Sequence, residues 1–172
     1  MTIDLTPVAD STVKSNQGSA NLGASEELHV DPNPSATERS LLRFDLSTIP
    51  SGSAVFEATL TLCPVVINST AVGRMHHVHR VVETWTELGV SWTNQPLVLE
   101  PPTDQTAVLA GLFCISFDVT DDAQAWVDGT LNFGFQVGDA NENTSGAGMR
   151  YASRENINSS RHPQLSITYE VP

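Results

Sequence analysis

Apolar residues in this 172-residue chain recur with a period of two, and that rhythm leaves few folds open to it. In Leu42-Arg43-Phe44-Asp45-Leu46 the even positions are apolar. Phe56, Ala58, Leu60 and Leu62 alternate with Glu57, Thr59 and Thr61, and Phe113, Ile115, Phe117 and Val119 keep to odd positions. Phe133, Phe135 and Val137 stand opposite Asn132, Gly134 and Gln136. Leu165, Ile167, Tyr169 and Val171 close the chain against Gln164, Ser166, Thr168 and Glu170. Successive side chains of a strand point to opposite faces, so each run predicts one dry and one wet face. The expected fold class is all-β: an antiparallel β-sandwich of jelly-roll type whose dry faces meet.

The runs are separated by turn signals such as Asn21-Leu22-Gly23, Asp31-Pro32-Asn33-Pro34, Ile49-Pro50-Ser51-Gly52 and Glu100-Pro101-Pro102. The longest irregular stretch, 94–110, is expected to cross between the sheets. One short helix is expected where Thr120 can cap, Asp121 and Asp122 suit the dipole, and Gly129 can stop the turn. Its apolar side is Ala123, Trp126 and Val127, which predicts docking over an open end of the sandwich. With no repeat and no linker, residues 1–172 read as a single domain, large enough to bury a full core.

The balance of 20 acidic to 8 basic residues gives a net charge of -12. That argues against nucleic acid and against an anionic membrane surface as partners. No apolar run approaches the roughly 20 residues that span a bilayer. Met1 leads straight into a polar, strand-like stretch, so the chain reads as one whose export signal has been removed. Cys63 and Cys114 are the only cysteines, and parity puts both on the outward faces of their strands. A disulfide and two unpaired thiols under loops both fit that pattern.

Nothing in the chain resembles a nucleophile elbow, a phosphate-binding loop or a zinc-protease helix. The remaining candidates are binding residues. Arg43, Arg80, Arg150, Arg154 and Arg161 are the natural seats for carboxylates on an acidic protein, although Arg154 beside Glu155 and Arg43 beside Asp45 can equally brace strands. Of the three tryptophans, Trp85 and Trp126 read as core and Trp92 as the one left open to stack on a sugar ring. His77 and His79 share a strand face and are weak transition-metal candidates. Asp139, Asn141 and Asn143 space oxygen donors as calcium loops do, without the glycine and acid of an EF-hand, so a structural calcium is a possible cofactor.

Ala9-Asp10-Ser11-Thr12-Val13, Asn21-Leu22-Gly23 and Ser40-Leu41-Leu42-Arg43-Phe44-Asp45-Leu46-Ser47-Thr48-Ile49-Pro50 resemble the opening of a DNRLRE domain. Trp85-Thr86-Glu87, Val90-Ser91-Trp92-Thr93-Asn94-Gln95-Pro96, Ser153-Arg154-Glu155 and Arg161-His162-Pro163-Gln164-Leu165 are similar to its middle and end, in the same order. The resemblance implies an extracellular β-sandwich, and some relatives are carbohydrate-binding modules for alginate. It makes Arg43, Arg154, Glu155 and Arg161 the family's charged positions here. The expected function is therefore a non-catalytic module for an acidic extracellular polysaccharide, located outside the cell or on its surface. The alternative is a structural or adhesive module whose partners are neighbouring surface-protein subunits. A jelly-roll polysaccharide lyase is the weakest expectation, because no strand presents a base and a carboxylate-neutralising group together.

Overall fold

The computed structural model describes residues 1–172 as eleven strands and one α-helix. The strands are β1 (Thr2–Leu5), β2 (Ala9–Lys14), β3 (Glu27–Val30), β4 (Glu38–Arg43), β5 (Ala54–Leu62), β6 (Met75–Arg80), β7 (Asp104–Ala107), β8 (Ile115–Asp118), β9 (Phe135–Asp139), β10 (Met149–Ala152) and β11 (Gln164–Glu170). The helix α1 spans Thr120–Val127. A four-stranded sheet runs β1-β11-β5-β8, a five-stranded sheet runs β2-β4-β9-β6-β7, and β3 and β10 form a separate ribbon. All pairings are antiparallel. The two sheets pack as a sandwich around Leu60, Leu62, Phe117, Leu165 and Ile167 from one side and Leu42, Phe44, Val78, Phe135 and Val137 from the other.

The period-two reading holds through most of this core and fails at strand ends. Phe56 is exposed although Ala58, Leu60 and Leu62 are buried. A register shift between Thr168 and Tyr169 of β11 reverses parity, so Val55 rather than Phe56 packs inward. Phe113 is exposed because β8 begins only at Ile115, and Val171 is exposed because β11 ends at Glu170. The stretch 94–110 stays largely with the five-stranded sheet, where it carries β7 as an edge strand on β6, and the crossing comes only after it, between β7 and β8.

Helix α1 forms as expected with a different cap. It starts one residue early, so Thr120 is its first residue; Val119 stands at the N-cap with no side-chain bond, and Asp118 before it takes up the first N–H. Asp118 Oδ1 accepts the Thr120 N–H at 3.0 Å and the Thr120 hydroxyl at 2.6 Å. Gly129, at φ +103, ends the helix in the left-handed region. Ala123, Trp126 and Val127 enter the main core, and Trp126 meets Phe135 at 4.8 Å between ring centroids.

Cys63 and Cys114 form a disulfide with a Cα separation of 4.1 Å. Register explains it: Leu62 pairs with Ile115, so the next residues outward are the two cysteines. The chain ends also meet, since Thr2 pairs with Thr168 and the Met1 amino group donates to the Tyr169 carbonyl at 2.6 Å.

Between the sheets, His76 points into the core, and Tyr151 Oη lies 3.0 Å from its Nδ1. Burial pushes its pKa down to about 4, against the pull of Asp139 and with help from His77 and Arg74. The unfolded chain therefore takes up a proton between pH 6.5 and 4 that the folded chain refuses. Over that interval the wild type is expected to lose about 3 kcal/mol relative to His76→Leu, other groups cancelling in the comparison. Urea unfolding of both proteins at the two pH values checks this; a constant difference between them would sink it.

Candidate functional site

The outer face of the five-stranded sheet is half covered. Residues 81–98 run across it as a strap, tied by the Val81–Val98 bridge. Trp85 and Val90 of the strap bury Ala9, Val13 and Leu41, which is why Leu41 is as buried as Leu42 on the opposite face of the same strand. The Trp85 indole N–H donates to the Phe133 carbonyl at 2.8 Å, and Arg43 lies over its ring at 5.7 Å. Asn21 holds the strap from outside, donating to the carbonyls of Glu87 at 2.7 Å and Val90 at 2.8 Å. Gly23 lets the backbones meet there: a Cβ on it would stand 2.2 Å from the Glu87 carbonyl oxygen.

The uncovered half is a polar cleft of about 270 Å³ lined by Arg39, His77, His79, Gln136, Asn141 and Glu142, among others. Its side chains are held flat and in place. Arg39 donates to Glu142 through Nε at 2.7 Å and Nη2 at 2.8 Å, and its guanidinium lies 4.7 Å from the Trp92 ring centroid. Gln95 Oε1 accepts from both Arg39 and Gln136 at 3.3 Å. His77 and His79 meet edge to face at 4.4 Å, and His79 Nδ1 donates to the Leu99 carbonyl at 2.9 Å. Burial, then the neighbouring His79, push the His77 imidazole below its ordinary pKa and favour its neutral form. Gly138 lies under the cleft, where a Cβ would come within 3.0 Å of His77 Nε2 and 3.6 Å of Arg39 Cγ. A fixed set of planar donors and acceptors beside an aromatic ring suits the vicinal hydroxyls and apolar face of a sugar.

The structure thus brings His77, His79, Asp139 and Asn141 to one cleft, with Trp92 behind it. No third His, Cys, Asp or Glu joins the two imidazoles in a ligand set. The 139–143 turn is organised by a guanidinium. Arg74 donates to Asp139 Oδ2 at 2.7 Å and Oδ1 at 2.8 Å, to the Asn141 carbonyl at 2.7 Å and to Thr144 Oγ1 at 3.1 Å. Asn143 Oδ1 accepts the Thr144 hydroxyl. The Asp139 carboxylate and the Asn141 backbone carbonyl are turned to Arg74, a residue the spacing argument did not include, and Asn143 Oδ1 to Thr144.

The five other arginine candidates do not converge, and no two share a partner. Arg43 covers Trp85, Arg80 pairs with Asp122 at 3.3 Å, and Arg161 donates to the carbonyls of Pro64 and Leu112, both at 2.7 Å. Arg154 is paired with Glu87 at 2.9 Å and Glu155 at 3.3 Å. Arg150 alone is more open than covered, at 54% side-chain exposure, with Glu27 at 3.5 Å. It lines a second hollow of about 290 Å³ with Lys14, His29, Glu38 and Asn68. Burial pushes the Glu38 carboxyl up, but hydrogen bonds from His29 and Lys14 outweigh it and hold the pKa below its ordinary value. Arg39 and Gly138, the residues that shape the main cleft, carry no motif in the sequence; only the register of β4, β9 and β6 places them together.

No curated protein matches the chain. The model of carbohydrate-binding module family 96 matches residues 1–169, nearly the whole sequence. A sandwich with a rigid polar cleft and an aromatic at its edge agrees with that match: the chain belongs to carbohydrate-binding module family 96, a non-catalytic module that binds carbohydrate.

Proposed function

We propose that the ligand is an acidic extracellular polysaccharide such as alginate, held in the cleft on the outer face of the five-stranded sheet. The observation that carries this reading is the Arg39–Glu142 pair. Arg39 holds a carboxylate by two parallel hydrogen bonds at the edge of the cleft, with Trp92 packed on its guanidinium. A uronate presents the same planar group and replaces Glu142 on Arg39, while Gln136, Asn141 and His77 meet its hydroxyls. The net charge of -12 opposes a polyanion, so the local seat has to supply the attraction. The Cys63–Cys114 disulfide supports an oxidising location, outside the cell or on its surface, and the resemblance to DNRLRE domains supports the same setting.

Affinity electrophoresis in alginate gels and calorimetry with alginate oligosaccharides test the reading. Arg39→Ala is expected to weaken binding by about 10- to 100-fold, the range for a charge-assisted pair. Glu142→Gln, which removes the competing carboxylate, is expected to tighten it. Undiminished binding by Arg39→Ala, with loss on Arg150→Ala, would move the seat to the Lys14–His29 hollow. Equal retardation by neutral glucans would overturn the acidic ligand and leave the cleft.

A further inference from the structure

Asp10, Glu87 and Glu155 come from β2, the strap and the segment after β10, and one oxygen from each lies within 4.8 Å of the other two. Oxygens around one calcium ion stand at most about 5 Å apart, twice the calcium–oxygen distance, so this spacing admits a shared ion. The group is more than an exposed acidic patch. Asp10 is 1% exposed, and its carboxylate has one donor, the Arg154 backbone N–H on Oδ2 at 2.8 Å, while Oδ1 receives none. Glu155 Oε2 is buried without a donor, while Arg154 lies 3.3 Å from Oε1. Glu87 is better provided, since Oε1 accepts the Asp10 N–H at 2.9 Å and Arg154 reaches both its oxygens. Three ionised carboxylates against one guanidinium leave two negative charges, and Glu155 Oε2 is the buried oxygen that no donor meets. Uncompensated buried charge of this kind is costly, so the cluster calls for a cation or a shared proton.

We propose that Asp10, Glu87 and Glu155 are the protein ligands of a calcium ion that fastens the strap to β2 and to the segment after β10. One divalent ion cancels the residual charge and reaches the Glu155 oxygen that no donor satisfies. An oxygen-only donor set selects against zinc and copper, and carboxylates from three separate segments suit the looser geometry of calcium better than the strict octahedron of magnesium. Glu87 and Glu155, at 20% and 26% side-chain exposure, leave one side open for solvent ligands. The ion would hold the strap that carries Trp92 and Val98 to the main cleft, and the inference stands whichever sugar that cleft takes.

The test titrates calcium chloride into chelator-treated protein, followed by calorimetry and by thermal melting, with magnesium chloride alongside. One calcium per chain is expected, with a melting temperature raised by several degrees and a much smaller response to magnesium. The Asp10→Asn/Glu155→Gln variant keeps the side-chain shapes and removes two charges, and it is expected to lose the response. Glu155→Gln alone, at a partly exposed position, carries the comparison should the double variant not fold; its calcium affinity is expected to fall about tenfold or more. A flat calcium titration of the wild type would overturn the proposal and leave a proton shared by Asp10 and Glu155. A calcium response that the variants retain in full would overturn it as well, by placing the ion elsewhere.

Discussion

Replacing Arg74 with methionine is expected to destabilise the fold by about 3–5 kcal/mol, the cost of stranding a buried charge. Asp139 is the charge in question. Its side chain is 1% exposed, and both its oxygens are held by Arg74, with only the Asn141 N–H as a further donor. Methionine keeps the apolar stem and removes the donors, so the loss is electrostatic rather than a packing defect. The same guanidinium ties the Asn141 carbonyl and Thr144, so the turn beside the cleft should loosen too. Asp139→Asn added to Arg74→Met removes the stranded charge and is expected to restore much of the stability. Urea unfolding of the single and double variants measures both effects. A single-variant loss below about 1 kcal/mol would mean that Asp139 finds water or a proton instead.

Removing the disulfide is expected to cost about 4 kcal/mol, since the bridge closes a loop with a sequence separation of 51. For a chain of this size that corresponds to a fall in melting temperature of roughly 8–16 °C. Cys63→Ala/Cys114→Ala is the suitable variant, because Cys63 is buried and alanine leaves no unsatisfied hydroxyl. Arg161 donates to the carbonyls of Pro64 and Leu112, the neighbours of both cysteine segments. Those contacts survive the change, so the variant should still fold, and its carbohydrate binding should persist because the bridge belongs to the other sheet. Thermal melts of the variant beside the wild type read the loss directly; a shift of a degree or two would show that the unfolded chain is already restrained there.

Strand parity made the sandwich legible, because a half-buried strand writes its dry face into alternate residues. Trp85 and Trp126 were legible as core, and the structure agrees; Trp92, read as open, is half-buried with Arg39 over its ring. Parity says nothing about register, and register decided the rest. It set Cys63 against Cys114, where the sequence left the bridge and two free thiols equally open. It reversed Phe56, the extra residue of a bulge in β5 that only the pairing with β11, more than a hundred residues away, defines. The strap hid another signal: by covering half of an outer face it buried Leu41 as deeply as Leu42, so β4 shows no wet side there. The cleft was the least legible part. Arg39 and Gly138 belong to no motif, and Arg74 stood outside the spacing that suggested a calcium loop.

The pairing of β1 with β11 has a consequence for how the module is carried. Met1 and Tyr169 are joined by a hydrogen bond, so both ends of the chain leave from one corner of the four-stranded sheet. The cleft opens on the far side of the other sheet. A cargo enzyme or anchor spliced on at either terminus would hang behind the sandwich like a load on a hook, and the cleft would point outward regardless of which terminus bears it.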